Sequence, residues 1–243
     1  MEMWQLGISA DRARIALLVV LMIPVLTGLS HFCGFEATFD WRDDLVDAFV
    51  AFAVAFFAAG LVLSIFGEIK PGMPMDEIVC KLSLQAVCGS VGALLAEGQF
   101  AIKDEKAQPT KEPSSYLGEL FLMLVGALFL ALNVAPTEEI FLTAYRMSPI
   151  AGLLLVLASM VIMHGFVYAV GFSGQHEMQD DTPHWNMAFR FTIPGYAIAL
   201  LICFYLLWTF GRLDGTSLKD SLMACIVLSF PASIGAATAR LII

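Results

Sequence analysis

The sequence predicts an all-α, polytopic membrane protein, and three features predict it. Hydrophobic residues make up 59% of the 243 and charged residues 14%, against about 25% charged in ordinary soluble domains, and the mean hydropathy is +0.80. Seven apolar stretches are long enough to span a bilayer, which takes about 20 mainly apolar residues as helix. The segments between them are short, so little chain remains for a soluble domain.

The seven stretches cover residues 14–33, 45–66, 77–101, 117–135, 147–172, 187–211 and 218–242. The opening Met1-Glu2-Met3-Trp4-Gln5-Leu6-Gly7 has neither the basic start nor the apolar core of a signal peptide, so insertion is expected through the first helices. Asp44 and Asp47 open the second stretch as first-turn acids favoured by the helix dipole. Glu77, Lys81 and Gln85, spaced by four, enter the third as a polar stripe. A Glu77–Lys81 pair with Lys81 snorkelling to the headgroups accounts for it. The fourth stretch stops at Pro136, which lacks an amide hydrogen and disfavours helix in the residue before it. His164 lies deep in the fifth, and Pro231 is expected to kink the seventh.

The formal net charge of -9 comes mostly from short acidic connections such as Glu36, Asp40, Asp43 and Asp44, and Glu177, Asp180 and Asp181. It argues against a nucleic-acid partner, which calls for a basic patch. The partners expected are the lipid bilayer, an inorganic cation and, for a shared pore, further copies of the chain. The five cysteines, at 33, 80, 88, 203 and 225, form no close pair and read as small core residues. His176, Asp180 and His184 are spaced by four like a metal site, but Pro183 argues against one helix there. A solvated acidic loop is the simpler reading.

The chain repeats itself. Gly28, Gly34 and Phe35 match Gly165, Gly171 and Phe172 at an offset of 165 − 28 = 137. Phe66-Gly67 matches Phe210-Gly211 at 210 − 66 = 144, and Ser90-Val91-Gly92-Ala93 with Ala96 matches Ser233-Ile234-Gly235-Ala236 with Ala239 at 233 − 90 = 143. This gives a first repeat over 1–98, a hydrophilic linker over 99–115 and a second repeat over 116–243. The first offset sets Glu2 opposite Glu139, so the first half begins one helix late relative to the second. A version with that helix would have eight spans in two sets of four, an even count that gives parallel repeats, or inverted ones if one span per half is re-entrant. The small residues Gly89, Ala93, Gly92 and Ala96, with Ala232, Ala236, Gly235 and Ala239, allow close backbone approach and are expected where the halves meet.

Met1-Glu2-Met3-Trp4, the Gly28 to Phe35 segment, Pro71-Gly72-Met73-Pro74, Asn133-Val134-Ala135-Pro136-Thr137-Glu138-Glu139 and Pro231-Ala232-Ser233-Ile234-Gly235-Ala236 together resemble an uncharacterised bacterial family of integral membrane proteins. The resemblance covers nearly the whole chain and implies a multi-pass location in the inner (plasma) membrane. It implies no activity. Basic residues divide evenly between alternate connections, with Arg12, Arg14, Lys70, Arg146, Arg212 and Lys219 against Arg42, Lys103, Lys106, Lys111, Arg190 and Arg240. The positive-inside rule therefore gives no orientation.

The residues that could carry chemistry centre on Glu138 and Glu139, adjacent carboxylates between two apolar stretches. A helix broken at Pro136 frees carbonyls beside them, and broken helices with nearby acids are how membrane proteins build cation sites. Asn133 could add an amide oxygen, His164 a proton relay, Glu2 the equivalent acid of the first repeat, and Arg146 a charge partner two turns from Glu139. Thr137-Glu138-Glu139 reads equally as an N-cap and first turn at the interface.

Three functions compete. The first is a cation channel or ion-coupled transporter. Its ligand is a bound cation, Ca2+, Na+ or H+, because hard oxygen donors suit hard cations. The second is an intramembrane hydrolase, since Glu138-Glu139 is similar to the Glu-Glu motif of CAAX-type membrane proteases. The match stops there: the arginine of that family would fall at Thr143, its phenylalanine at Met160, and no third histidine lies in a span. The third is a non-catalytic assembly or sensor protein whose acids only make structural hydrogen bonds.

Overall fold

A computed structural model describes residues 6–33, 41–101, 116–135, 137–169 and 188–242. All regular structure among the described residues is helical: α1 (Leu6–Ser9), α2 (Arg12–Cys33), α3 (Trp41–Ile65), α4 (Met75–Ala101), α5 (Tyr116–Val134), α6 (Glu138–Arg146), α7 (Pro149–Ala169), α8 (Ile193–Thr209) and α9 (Leu218–Ile242). Seven of these are long and apolar enough to cross a membrane. The chain divides into two compact units, residues 1–108 with 209–212, and 109–208 with 213–243.

In the first unit α2, α3 and α4 pack on one another, with α1 against α4. Leu18, Met22, Leu26 and Leu29 recur every three or four residues and are buried as one face of α2. Leu84, Val87, Val91 and Leu94 do the same on α4. α3 buries little and exposes Phe49, Val50, Val54, Phe57 and Leu61. In water so large an apolar surface would be a liability, whereas lipid is its natural solvent.

The turn from α3 to α4 follows from one glycine. Gly67 has φ 73, its N–H bonds the Ser64 carbonyl at 3.1 Å, and the Glu68 N–H bonds the Leu63 carbonyl at 2.9 Å. This is a Schellman ending, which satisfies the last carbonyls of α3. A Cβ on Gly67 would meet nothing within 4 Å, so Gly67→Ala is expected to cost about 1 kcal/mol from backbone conformation alone. Thermal unfolding of the purified chain in detergent checks it.

In the second unit α9 packs against α5, α6 and α7. α5 and α9 meet backbone to backbone: a Cβ on Gly126 would run into the Gly235 carbonyl, and one on Gly235 into the Gly126 carbonyl. Ala232, Ala236 and Ala239 of α9 are buried. The small-residue face of α9 thus packs against α5 within the second unit. A π turn, Ala188–Thr192, leads into α8. Pro194 has no N–H to give the Arg190 carbonyl, and that carbonyl accepts the Tyr116 hydroxyl instead, at 2.9 Å.

The offsets that align the two halves in sequence also align their helices. Arg12 plus 137 gives Pro149, the first residue of α7; Ile65 plus 144 gives Thr209, the last of α8; Met75 plus 143 gives Leu218, the first of α9. Gly67 and Gly211 both have positive φ, as do Gly72 and Gly215. α5 has no counterpart among the described residues of the first unit, where Ala93 and Ala96 on α4 are exposed. α9 runs helically through Pro231 and α2 through Pro24.

Candidate functional site

The helix break falls where Pro136 places it, α5 stopping at Val134 and α6 starting at Glu138. Pro136 itself and Glu2 lie outside the described residues, as do the 102–115 linker and the His176 to His184 run. Of the carbonyls at the end of α5, that of Val134 is already taken. Val134 accepts from the Thr137 N–H at 3.0 Å and from the Thr137 hydroxyl at 2.9 Å. Thr137 is the N-cap of α6 without a side-chain capping bond, its hydroxyl being turned back to α5.

Glu138 and Glu139 form the first turn of α6 and are exposed. Carboxylates there are favoured by the helix dipole. α6 is amphipathic, burying Ile140 and Ala144, as expected of a short helix lying at an interface. Asn133 is exposed and donates its amide to the Phe129 carbonyl at 2.7 Å, so the side chain folds back on its own helix. Arg146 ends α6, exposed, and among the described residues it forms no ion pair with Glu139. His164 sits 15 residues beyond Pro149, about 22 Å of helical rise, and its Nδ1 meets the Thr192 hydroxyl at 3.0 Å. The structure therefore joins His164 to α8's approach rather than to Glu138 or Glu139.

Among the described residues the buried charged side chains, Asp44 and Lys81, both lie in the first unit, one towards each end of its helices, and each has a partner nearer the surface. Asp44, only 2% exposed, receives His31 Nδ1 at 3.0 Å. Beside it the Ser30 hydroxyl donates to Asp47 Oδ2 at 3.2 Å. At the other end Lys81, 3% exposed, pairs with Glu77 at 3.1 Å and donates to the Glu68 carbonyl at 3.3 Å. Lys81 does not snorkel outward; it turns into the Gly67–Gly72 loop, whose carbonyl it fills. Arg12 and Asp76 add an exposed ion pair between α2 and α4. Between the two buried pairs the core is mainly apolar, with Leu18, Met22, Leu26, Leu84, Val87 and Val91, and the buried Ser90 hydroxyl bonds its own helix at the Val87 carbonyl.

The second unit holds neutral polar groups instead. Tyr196 and Ser229 share a hydrogen bond of 2.9 Å between α8 and α9, and Ser159 and Ser233 are fully buried on helix carbonyls. Among the described residues no group of three or more histidines, cysteines or acids could hold a metal ion. Four cysteines, Cys80, Cys88, Cys203 and Cys225, are free thiols.

The sequence model of a family described as "Putative integral membrane protein (DUF2391)" matches residues 1–243, end to end. The chain belongs to this family. It is thus a multi-pass integral membrane protein, as its seven candidate spans require. No curated protein and no solved structure matches it.

Sequence reasoning missed the His31–Asp44 pair. His31 was visible only as part of a repeated segment, and Asp44 only as one of several acids in a first turn. The signal available was the connection itself: residues 13 apart across a helix-to-helix turn sit at the same end of two antiparallel neighbours.

Proposed function

We propose that this chain moves a cation across the membrane by coupled, alternating exposure rather than through a permanently open pore. The observation that carries the reading is two buried charges, Asp44 beside His31 and Lys81 beside Glu77, in a unit whose three long helices are otherwise mainly apolar. Ionisable groups inside membrane helices are costly, most of all at the helix centre and less at helix ends such as these, and are kept where ions or protons pass. Fold stability does not need them, because apolar replacements for buried ion pairs are commonly neutral or better. The apolar core between the pairs supports gated passage over an open channel.

In this reading Glu138 and Glu139, exposed at the break between α5 and α6, gather the cation, with Glu2 in the equivalent position of the first half. The ion is hard, Na+, Ca2+ or H+, since the donors are carboxylates and amides. The membrane is the inner (plasma) membrane of a bacterium. The two units descend from one duplicated ancestor, which the shared offsets of helix ends and positive-φ glycines support. Purified protein in liposomes is expected to show cation or proton flux that Glu138→Gln with Glu139→Gln reduces. Flux unaffected by the double substitution would remove those carboxylates from the path.

A further inference from the structure

We propose that Arg190, in the π turn before α8, binds the phosphodiester of an anionic phospholipid headgroup. The inference goes beyond cation movement and stands without it.

The site is built where two spans begin. Tyr116 is the first residue of one candidate span and Arg190 the second of another, so their contact sets both helix starts at one level. The Arg190 guanidinium carbon stands 5.2 Å from the centroid of the Tyr116 ring and 5.6 Å from that of Phe191. These two rings pack on each other at 5.7 Å, and Phe191 is buried, so the platform under the cation is fixed. The turn that carries the arginine is tied down on both sides. Its Arg190 carbonyl accepts the Tyr116 hydroxyl at 2.9 Å, and its Thr192 hydroxyl meets His164 Nδ1 of α7 at 3.0 Å.

The rings hold the cation without neutralising it. An aromatic face attracts a guanidinium, but leaves its five N–H donors, arranged in a planar fork, without the oxygen acceptors they match. Among the described residues no carboxylate forms an ion pair with Arg190, Glu119 one turn along α5 included. The connections on either side, 102–115 and 170–187, lie outside the described residues.

The surroundings say where the counter-ion comes from. Leu117, Phe189 and Ile193 next to the site are exposed, and large apolar side chains on a membrane protein meet acyl chains. Tyrosine and arginine at the end of a span lie at the level of the headgroups. A phosphodiester there offers the two oxygens that an arginine fork binds bidentately. A headgroup without a cation of its own leaves one negative charge for one arginine, whereas a choline headgroup brings a competing cation. Inorganic phosphate has the same oxygens, but nothing to lay against the exposed apolar side chains.

The experiment is thermal unfolding of the full, detergent-purified chain with added phosphatidylglycerol, with diacylglycerol of the same acyl chains, or with inorganic phosphate. Phosphatidylglycerol is expected to raise the wild-type melting temperature by about 3 °C more than diacylglycerol does, and inorganic phosphate to give little of that rise. Arg190→Gln should lose most of the difference between the two lipids, while the other interfacial cations, such as Arg12 and Arg146, remain in both proteins. A loss of stability that is equal with every additive would make Arg190 a structural residue and overturn the proposal. So would a full wild-type lipid difference in Arg190→Gln, and a rise with inorganic phosphate equal to that with phosphatidylglycerol would make the ligand a free anion. Should Arg190→Gln not fold, Arg190→Lys, which keeps the charge without the fork, is expected to retain less than half of the difference, and a full wild-type response in it overturns the proposal.

Discussion

Replacing Gly126 by valine is expected to destabilise the second unit by about 3 kcal/mol, the upper end of the usual cost of overpacking. The reason is that the new atoms have nowhere to go. At the α5–α9 crossing the Gly126 and Gly235 backbones face each other, and a Cβ on either glycine would overlap the other's carbonyl. Backbone cannot rotate aside as a flexible side chain can. The neighbouring contact is also filled, since Ala239 of α9 is 2% exposed. Membrane helices have no hydrophobic drive to associate within lipid and rely on close packing, so separating this pair removes much of what joins them. Gly235→Val should have the same effect, and the double variant should cost much less than the sum of the two, because both break one contact. Thermal unfolding in detergent with size-exclusion recovery checks all three. Wild-type melting of Gly126→Val would mean that the helices do not cross here.

Glu77→Gln is expected to cost about 3 kcal/mol, and Lys81→Met almost nothing. The asymmetry follows from which charge is left behind. Without the Glu77 charge, the Lys81 ammonium, 3% exposed, keeps among the described residues only neutral acceptors, the Glu68 carbonyl at 3.3 Å and the amide oxygen that replaces the carboxylate. An uncompensated buried charge is what makes breaking such a pair expensive. Without Lys81, Glu77 remains one-fifth exposed and reaches solvent, while methionine fills the lysine stem's volume with apolar atoms. Glu77→Gln with Lys81→Met should recover most of the loss, giving a positive coupling in a double-mutant cycle. Equal losses from the two single substitutions would contradict this account of the pair.

The helices were legible in the sequence because lipid imposes a length and a composition on every span. All seven candidate stretches coincide with helices, and the α5–α6 break sits at Pro136, whose chemistry forbids an ordinary continuation. What the sequence could not convey was direction. Lys81 is spaced from Glu77 like a surface pair, and nothing local says whether its ammonium goes out to headgroups or into the loop after Gly67. That depends on the Glu68 carbonyl being left open by the α3 ending. Likewise Asp44 and Asp47 are both early α3 acids and both meet α2, through His31 and Ser30, yet only Asp44 is buried. The conspicuous acids, Glu138 and Glu139, turned out to be the exposed ones. Their adjacency drew attention, whereas burial, which decides cost, was set by partners far away in sequence.

The central claim, that the buried charges of the first unit serve ion movement and not the fold, has a direct measurement. Proton- and cation-sensitive dyes in liposomes would report flux through wild-type protein and through the Glu77→Gln, Lys81→Met double variant, after melting curves show the two equally folded. Wild-type protein is predicted to exceed protein-free liposomes, and the double variant to lose most of that flux while keeping its stability. Wild-type flux equal to the protein-free background for H+, Na+ and Ca2+, or full flux in the folded double variant, would contradict it.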